Sequence, residues 1–248
     1  MNRAPRRKIW SMKRTLLFSL AIVGLAAAPE EFKTSAGTLK ITPIQHATMM
    51  IEAGGQVIHV DPAQGKLGAL PKADLVLITD IHGDHMDDGM LRQVKKDSTM
   101  IIGPAAVAQE LSQEKVTVMK NGESKTVGQW TIQAVPMYNE KRRPSAGQLF
   151  HDKGRGNGYI VTYGGLRIYI AGDTEGIPEM RALKNIDVAF IPMNLPYTMP
   201  PEEAAEAVKA FKPKVVYPYH YQGSDLGVFE AALKGSGVEV RIRDWYPK

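Results

Sequence analysis

Asp80, His82, Asp84 and His85 crowd two carboxylates and two imidazoles into six positions, directly after the apolar run Leu75–Thr79. Carboxylate oxygens and imidazole nitrogens are ligands for divalent metals, and metal-activated water is hydrolytic chemistry. The chain has only six histidines. Three other loops offer groups of the same kind. His151 opens the glycine-rich stretch 151–158. Asp173 lies in Ala171-Gly172-Asp173-Thr174, and His220 in Tyr217-Pro218-Tyr219-His220-Tyr221, each after a strand-like run. Functional groups concentrate on loops at the ends of rigid elements. For any one of these histidines alone a structural role is the ordinary reading, and it is their joint pattern that points to metal.

The elements that must position them are short. Leu39–Pro43, Thr48–Glu52 and Gln56–Val60 read as strands separated by turn residues such as Ala53-Gly54-Gly55. Leu75–Thr79 is a continuous apolar run, as expected of a strand buried on both faces. Helices are expected over Asp88–Lys95 and Pro104–Leu111, with strands at Met100–Ile102, Val116–Met119, Lys125–Val127 and Trp130–Val135. The second half repeats the style. Gly164-Gly165 joins Gly158–Tyr163 to Leu166–Ala171 as a hairpin, and Val188–Pro192, Val215–Tyr217 and Val238–Ile242 alternate with helices at Pro201–Phe211 and Val228–Lys234. Periodicity alone gives an α/β or α+β class. The repeated order suggests a four-layer αββα sandwich. The glycines from Gly154 to Gly158 could cradle phosphate, but no helix follows them and that reading is weak.

Residues 1–28 have a secretory layout: six basic residues without an acid, then Thr15–Ala28, apolar and ending in small side chains. That run, about 14 residues, is shorter than the ~20 needed to span a bilayer. Met12 could be the true start, since Met12-Lys13-Arg14 already begins such a signal, and Arg6-Arg7 loosely fits a twin-arginine export motif. The segment is therefore expected to be cleaved, leaving no stable membrane insertion and a periplasmic or secreted protein. Of the 31 basic and 26 acidic residues, removing those six leaves 25 against 26. The basic character belongs to the leader. A near-neutral chain lacks the excess that a nucleic-acid surface needs, so no nucleic-acid partner is expected and a small-molecule substrate is. Cysteine is absent, which removes disulfides and lipoprotein attachment. Residues 29–37 are expected as a lead and 38–248 as one domain.

The pattern D-x-H-x-D-H at Asp80–His85, Gly172-Asp173-Thr174 after a hairpin and a late His220 after a strand resembles the metallo-β-lactamase superfamily over about residues 38–245. Gln45-His46-Ala47 is similar to the opening strand of its phosphorylated-ascorbate lactonase-like branch. The resemblance implies an α+β, αββα sandwich of the metallo-β-lactamase type holding two metal ions, commonly zinc. It implies that Asp80 and His82 serve one ion, that Asp84, His85 and His220 serve the other, and that Asp173 bridges them. Two departures stand out. The family motif begins with histidine where this chain has Asp80, which makes that position oxygen-rich and more tolerant of manganese or iron. Where a histidine normally follows the strand Trp130–Val135, this chain has Tyr138-Asn139. Neutral asparagine is a poor zinc ligand, so His151 is taken as the substitute, and Asn139→Ala is expected to leave metal content alone.

The expected protein is an exported dinuclear metal-dependent hydrolase that cleaves an ester, lactone, amide or phosphoester bond. Asp84 is its catalytic candidate, orienting the nucleophile while it ligates. Tyr138, Tyr197 and Tyr221 stay open as leaving-group acids. His46 is expected to support the site from behind, His59 to be structural, and Asp61 to hydrogen-bond the metal loop. A phosphodiesterase or nuclease of the same fold is one alternative, and a metal-binding protein with little catalysis is the other.

Overall fold

The computed structural model of the chain describes residue 1 and residues 29–247. The expected leader, apart from Met1, lies outside the described residues. The first half forms one sheet whose strands neighbour each other in chain order: β1 (Glu30–Thr34), β2 (Gly37–Gln45), β3 (Thr48–Ala53), β4 (Gln56–Val60), β5 (Leu75–Leu77), β6 (Met100–Gly103) and β7 (Val116–Val118). The second sheet does the same with β8 (Ser124–Val127), β9 (Trp130–Met137), β10 (Gly156–Tyr163), β11 (Leu166–Ile170), β12 (Val188–Pro192), β13 (Val215–Tyr219) and β14 (Glu239–Val240). Each sheet begins with antiparallel hairpins and ends in parallel strands, from β4 onward and from β11 onward. The helices are α1 (Asp88–Val94), α2 (Ala105–Glu110), α3 (Pro178–Arg181), α4 (Pro201–Phe211) and α5 (Leu226–Leu233).

Period-two alternation sorts the side chains into layers. Leu75 and Leu77 of β5 face the second sheet in a central core with Ile51, Trp130, Tyr159, Phe190 and Tyr217. Val76, between them, faces the other way, toward Leu91 and Val94 of α1 and Val107 of α2. In the second sheet Val188 and Phe190 point inward, while Ala189 and Ile191 meet Ala204, Val208 and Phe211 of α4. Two sheets face to face with helices outside make the αββα sandwich. Helix α4 starts with Pro201 in its first turn and carries Glu202 and Glu203 at the positive end of its dipole.

Two short elements were not expected from the sequence. Residues 30–34, within the expected lead, form β1 and pair with β2, Glu30 opposite Ile41 and Thr34 opposite Gly37. Its charged sequence EEFKT carries little strand signal. Helix α3 is four residues long, too short for a periodic signal.

The parallel strands supply the site loops from their carboxyl ends, and the two sheets are tied together there. Asn157 N donates to Thr79 O at 2.9 Å, and the Tyr159 hydroxyl donates to Ile78 O at 2.8 Å. Close approach demands glycine. Gly172 has φ +66°, and a Cβ there would lie 2.5 Å from Met137 Sδ, while one on Gly156 would lie 3.0 Å from Thr79 O. The glycines of 154–158 thus include one that serves packing at the sheet junction.

Candidate metal centre

Two donor clusters meet at this edge. Asp84, His85, Asp173 and His220 can each offer one atom within 4.8 Å of the others, and so can Asp80, His82 and His151. Asp173 stands between them: its Oδ2 is 3.3 Å from His85 Nε2 and 3.1 Å from His151 Nε2, and its Oδ1 is 3.2 Å from His220 Nε2. In the other cluster Asp80 Oδ2 lies 2.9 Å from His82 Nδ1 and 3.8 Å from His151 Nε2. The structure therefore brings together all seven residues singled out in the sequence, His151 among them. Asn139 faces His151 from behind rather than joining either cluster.

Two of the four imidazoles, His85 and His151, are aimed by a partner on the far nitrogen. His85 Nδ1 lies 2.8 Å from Asp61 Oδ2, and the same carboxylate accepts from the Thr79 backbone N–H and hydroxyl, both at 2.7 Å. His151 Nδ1 lies 2.7 Å from Asn139 Oδ1. Such partners fix ring orientation and tautomer for a metal ligand. Arg155 reaches Asp80 with two donors, Nε to Oδ1 at 3.2 Å and Nη2 to Oδ2 at 2.9 Å. His46 Nε2 lies 3.1 Å from Asp84 Oδ2, and its Nδ1 lies 2.7 Å from the Tyr246 hydroxyl. His46, Asp61 and His220 all have positive φ, between 44° and 56°. Histidine and aspartate tolerate this region better than most residues, and such backbone clusters at functional sites. His59 points away, with Nε2 2.9 Å from Pro71 O, in a structural role.

The electrostatics call for a cation. Burial disfavours charge on His85, yet the Asp173 and Asp61 carboxylates outweigh it and raise its pKa well above the usual histidine range. Burial likewise opposes ionisation of Asp173, but His220 and His85 hold its pKa well below the carboxylate range. Buried negative charge here draws a proton onto an imidazole, and a metal ion would displace that proton. His85 Nε2, His151 Nε2 and Asp173 Oδ1 are buried without a hydrogen-bond partner. Three mutually facing orphan donors amid nitrogen and carboxylate oxygen fit a divalent metal such as zinc.

A cavity of ≈ 410 Å³ opens onto the clusters, walled by Phe150 and Tyr197 and by the amide side chains of Gln64, Asn194 and Gln222. Asp84 is the most open of the cluster carboxylates, its side chain 33% exposed. Of the three tyrosines left open by the sequence, only Tyr197 lines the cavity. The Tyr138 hydroxyl donates to Glu179 Oε2, and that of Tyr221 to Arg243 O, both at 2.8 Å. Arg155, Thr79, Gln64, Phe150 and the supporting part of Asn139 were missed by sequence reasoning. Arg155 alone had a local signal, a cation inside the stretch that His151 opens.

A family model described as a beta-lactamase superfamily domain matches residues 40–220. A UPF0173 metal-dependent hydrolase of Thermococcus kodakarensis is 34% identical over 193 residues, covering 74% of this chain and 84% of its own. Among solved structures, a Parabacteroides distasonis protein assigned as a metal-dependent hydrolase is 44% identical, with a TM-score of 0.84 over 89% of this chain and 100% of its own. Igni18, a metallo hydrolase of Ignicoccus hospitalis, is 25% identical, with a TM-score of 0.68 over 83% of this chain and 95% of its own. The sandwich, the paired clusters and these matches agree: the chain belongs to the metallo-β-lactamase superfamily, among its metal-dependent hydrolases.

Proposed function

We propose that this protein is an exported two-metal hydrolase, with zinc as its metal, acting on an ester, lactone or amide carbonyl of a small uncharged substrate. The observation that carries the reading is Asp173, whose carboxylate lies between the two donor clusters within 3.3 Å of three imidazole nitrogens. Asp80, His82 and His151 would hold one ion, Asp84, His85 and His220 the other, with Asp173 shared. Manganese or iron are the other metals that an oxygen-rich first position would take. Ions bound there supply an activated water and polarise the scissile group.

The chain's own residues do the rest. Burial opposes ionisation of Asp84, but hydrogen bonds from His220 and His46 hold its pKa far below the carboxylate range, so it stays an anion. Facing the cavity as an anion, it can orient the attacking water by accepting a hydrogen bond from it. Burial pushes the His46 pKa down more than Asp84 pulls it up, so the ring is neutral near pH 7. Facing an anion, it must donate through Nε2, and the Tyr246 hydroxyl then donates to Nδ1. Gln64, Asn194 and Gln222 offer neutral hydrogen bonds to a substrate, and Phe150 with Tyr197 an aromatic wall. The lining includes neither lysine nor arginine among the described residues, so negative charge on a substrate would fall to the ions to meet, while the three amides suit a neutral carbonyl compound.

Metal analysis of the purified protein, with lactone, ester, amide and phosphodiester substrates before and after chelation, tests this. Two ions per chain and carbonyl hydrolysis lost on chelation are expected. Metal without turnover on any class would leave a binding protein, and a phosphodiester preference would leave the nuclease alternative. Export is tested by the N-terminal sequence of the protein recovered from cell fractions. An intact residue 1–28 segment on protein retained in the cytoplasm overturns it.

A further inference from the structure

The site gathers three carboxylates, and two of them, Asp80 and Asp173, are almost wholly removed from water. A buried carboxylate needs a fixed partner. Asp80 has one that its neighbours lack: the Arg155 guanidinium, joined to both of its oxygens at 2.9 and 3.2 Å. This fork-to-carboxylate geometry is the strong, directional form of an ion pair, which a lysine could not reproduce. The two residues come from different sheets, Asp80 after β5 and Arg155 just before β10. The oxygen that Arg155 Nη2 grips, Oδ2, is also the one facing His82 and His151. Arg155 therefore acts on the very atom that would meet a cation.

We infer that Arg155 is the fixed counter-charge of Asp80, and that the two act as one ligand unit. By gripping both oxygens, Arg155 meets the charge that burial would otherwise leave unpaired and holds Asp80 Oδ2 toward His82 and His151. A histidine at position 80 would bring no negative charge and would want no arginine behind it. Arg155 is thus a positioning residue that acts through Asp80. The inference rests on Asp80, His82 and His151 forming one metal position.

The test is a double-mutant cycle on chelator-stripped protein titrated with zinc against a chromophoric chelator. The ion that His151→Ala removes defines the first position. Asp80→His leaves Arg155 as an unpaired cation beside the metal, and Arg155→Gln leaves Asp80 unsupported. Each should weaken the first ion by about 10–100-fold. In Asp80→His/Arg155→Gln both faults are removed, so affinity should exceed the product of the single losses by tenfold or more, whereas independent effects combine to within roughly twofold. A simple product overturns the inference. Should Asp80→His fail to fold, melting temperature decides. Arg155→Gln should lower it more with zinc than without, because the variant holds the ion more weakly and gains less from it, while Arg155→Lys should stay closer to the parent. An equal loss in both states marks Arg155 as mere packing and overturns the inference. A parent that binds no zinc defeats the metal reading itself; a parent that binds zinc with multiplicative variants defeats only the pairing.

Discussion

Asn139 Oδ1 accepts from both nitrogens that His151 turns toward it, the backbone N at 2.8 Å and ring Nδ1 at 2.7 Å. The other end of the amide donates to Glu175 Oε1 at 3.2 Å and Tyr197 O at 2.9 Å. With its nitrogen committed to two acceptors, the amide must present oxygen to the ring. His151 consequently carries a proton on Nδ1, which leaves Nε2, 3.1 Å from Asp173 Oδ2, as the nitrogen that would ligate an ion. Asn139 stands where the family pattern expects a histidine, and it acts through His151 instead.

Asn139→Ala should therefore weaken metal binding by about 10–100-fold, the usual cost of losing a partner behind a ligating histidine. This reverses the expectation from sequence that the residue is idle. Asn139→Asp would set a carboxylate against buried Glu175 and should cost about 2 kcal/mol or more in urea unfolding. Unchanged zinc affinity in Asn139→Ala would count against the tautomer argument.

The two clusters should empty separately. His151→Ala should lose one ion and His85→Ala the other, each with most activity, whereas Asp173→Ala should lose both. Metal content by plasma mass spectrometry reads this directly. Loss of both ions in each histidine variant would mean a single cooperative site.

Chelation should destabilise the protein, because ions that bind only the folded chain add to its stability. At free metal near 100 times Kd the contribution is about 2.7 kcal/mol for each ion, which for a domain of this size shifts the melting temperature by roughly 5–10 °C per ion. Zinc added back should restore the original melting curve. An unchanged curve would show that the clusters hold no metal of consequence.

Glu30 ties β1 to the second sheet. It accepts from the Tyr217 hydroxyl at 2.9 Å, from Arg241 Nη1 at 3.3 Å and from Arg243 Nε. Burial alone would raise its pKa, but the hydrogen bonds and charges of Arg243, Tyr217 and Arg241 bring it below the ordinary value of 4.5. A folded-state pKa below the unfolded one means stability present above 4.5 and lost as pH falls through the folded value. Glu30→Gln should cost about 1–2 kcal/mol at pH 7, and the gap to the parent should close in acid. A gap that does not vary with pH would show that the charge contributes nothing.

Much of the site was legible without coordinates because its signals are local. Asp80 to His85 are neighbours in the chain, and Asp173 and His220 each follow an apolar run that had to be a strand. The αββα order was legible for the same reason, since the continuous apolar runs Leu75–Leu77 and Val188–Pro192 declare two covered faces. Residues separated in sequence carry no such signal. Arg155 meets Asp80 across 75 positions and Asn139 meets Tyr197 across 58. Glu30 of charged β1 meets Arg241 and Arg243 some 210 residues on. Tyr138, Tyr197 and Tyr221 looked alike until the loops were folded, when only Tyr197 turned to the cavity. Sequence by itself determined which residue types could bind metal and at which strand ends they would stand. Only the tertiary structure decided which of them face one another, because that follows from sheet register and from how closely Gly156 and Gly172 let the two sheets approach.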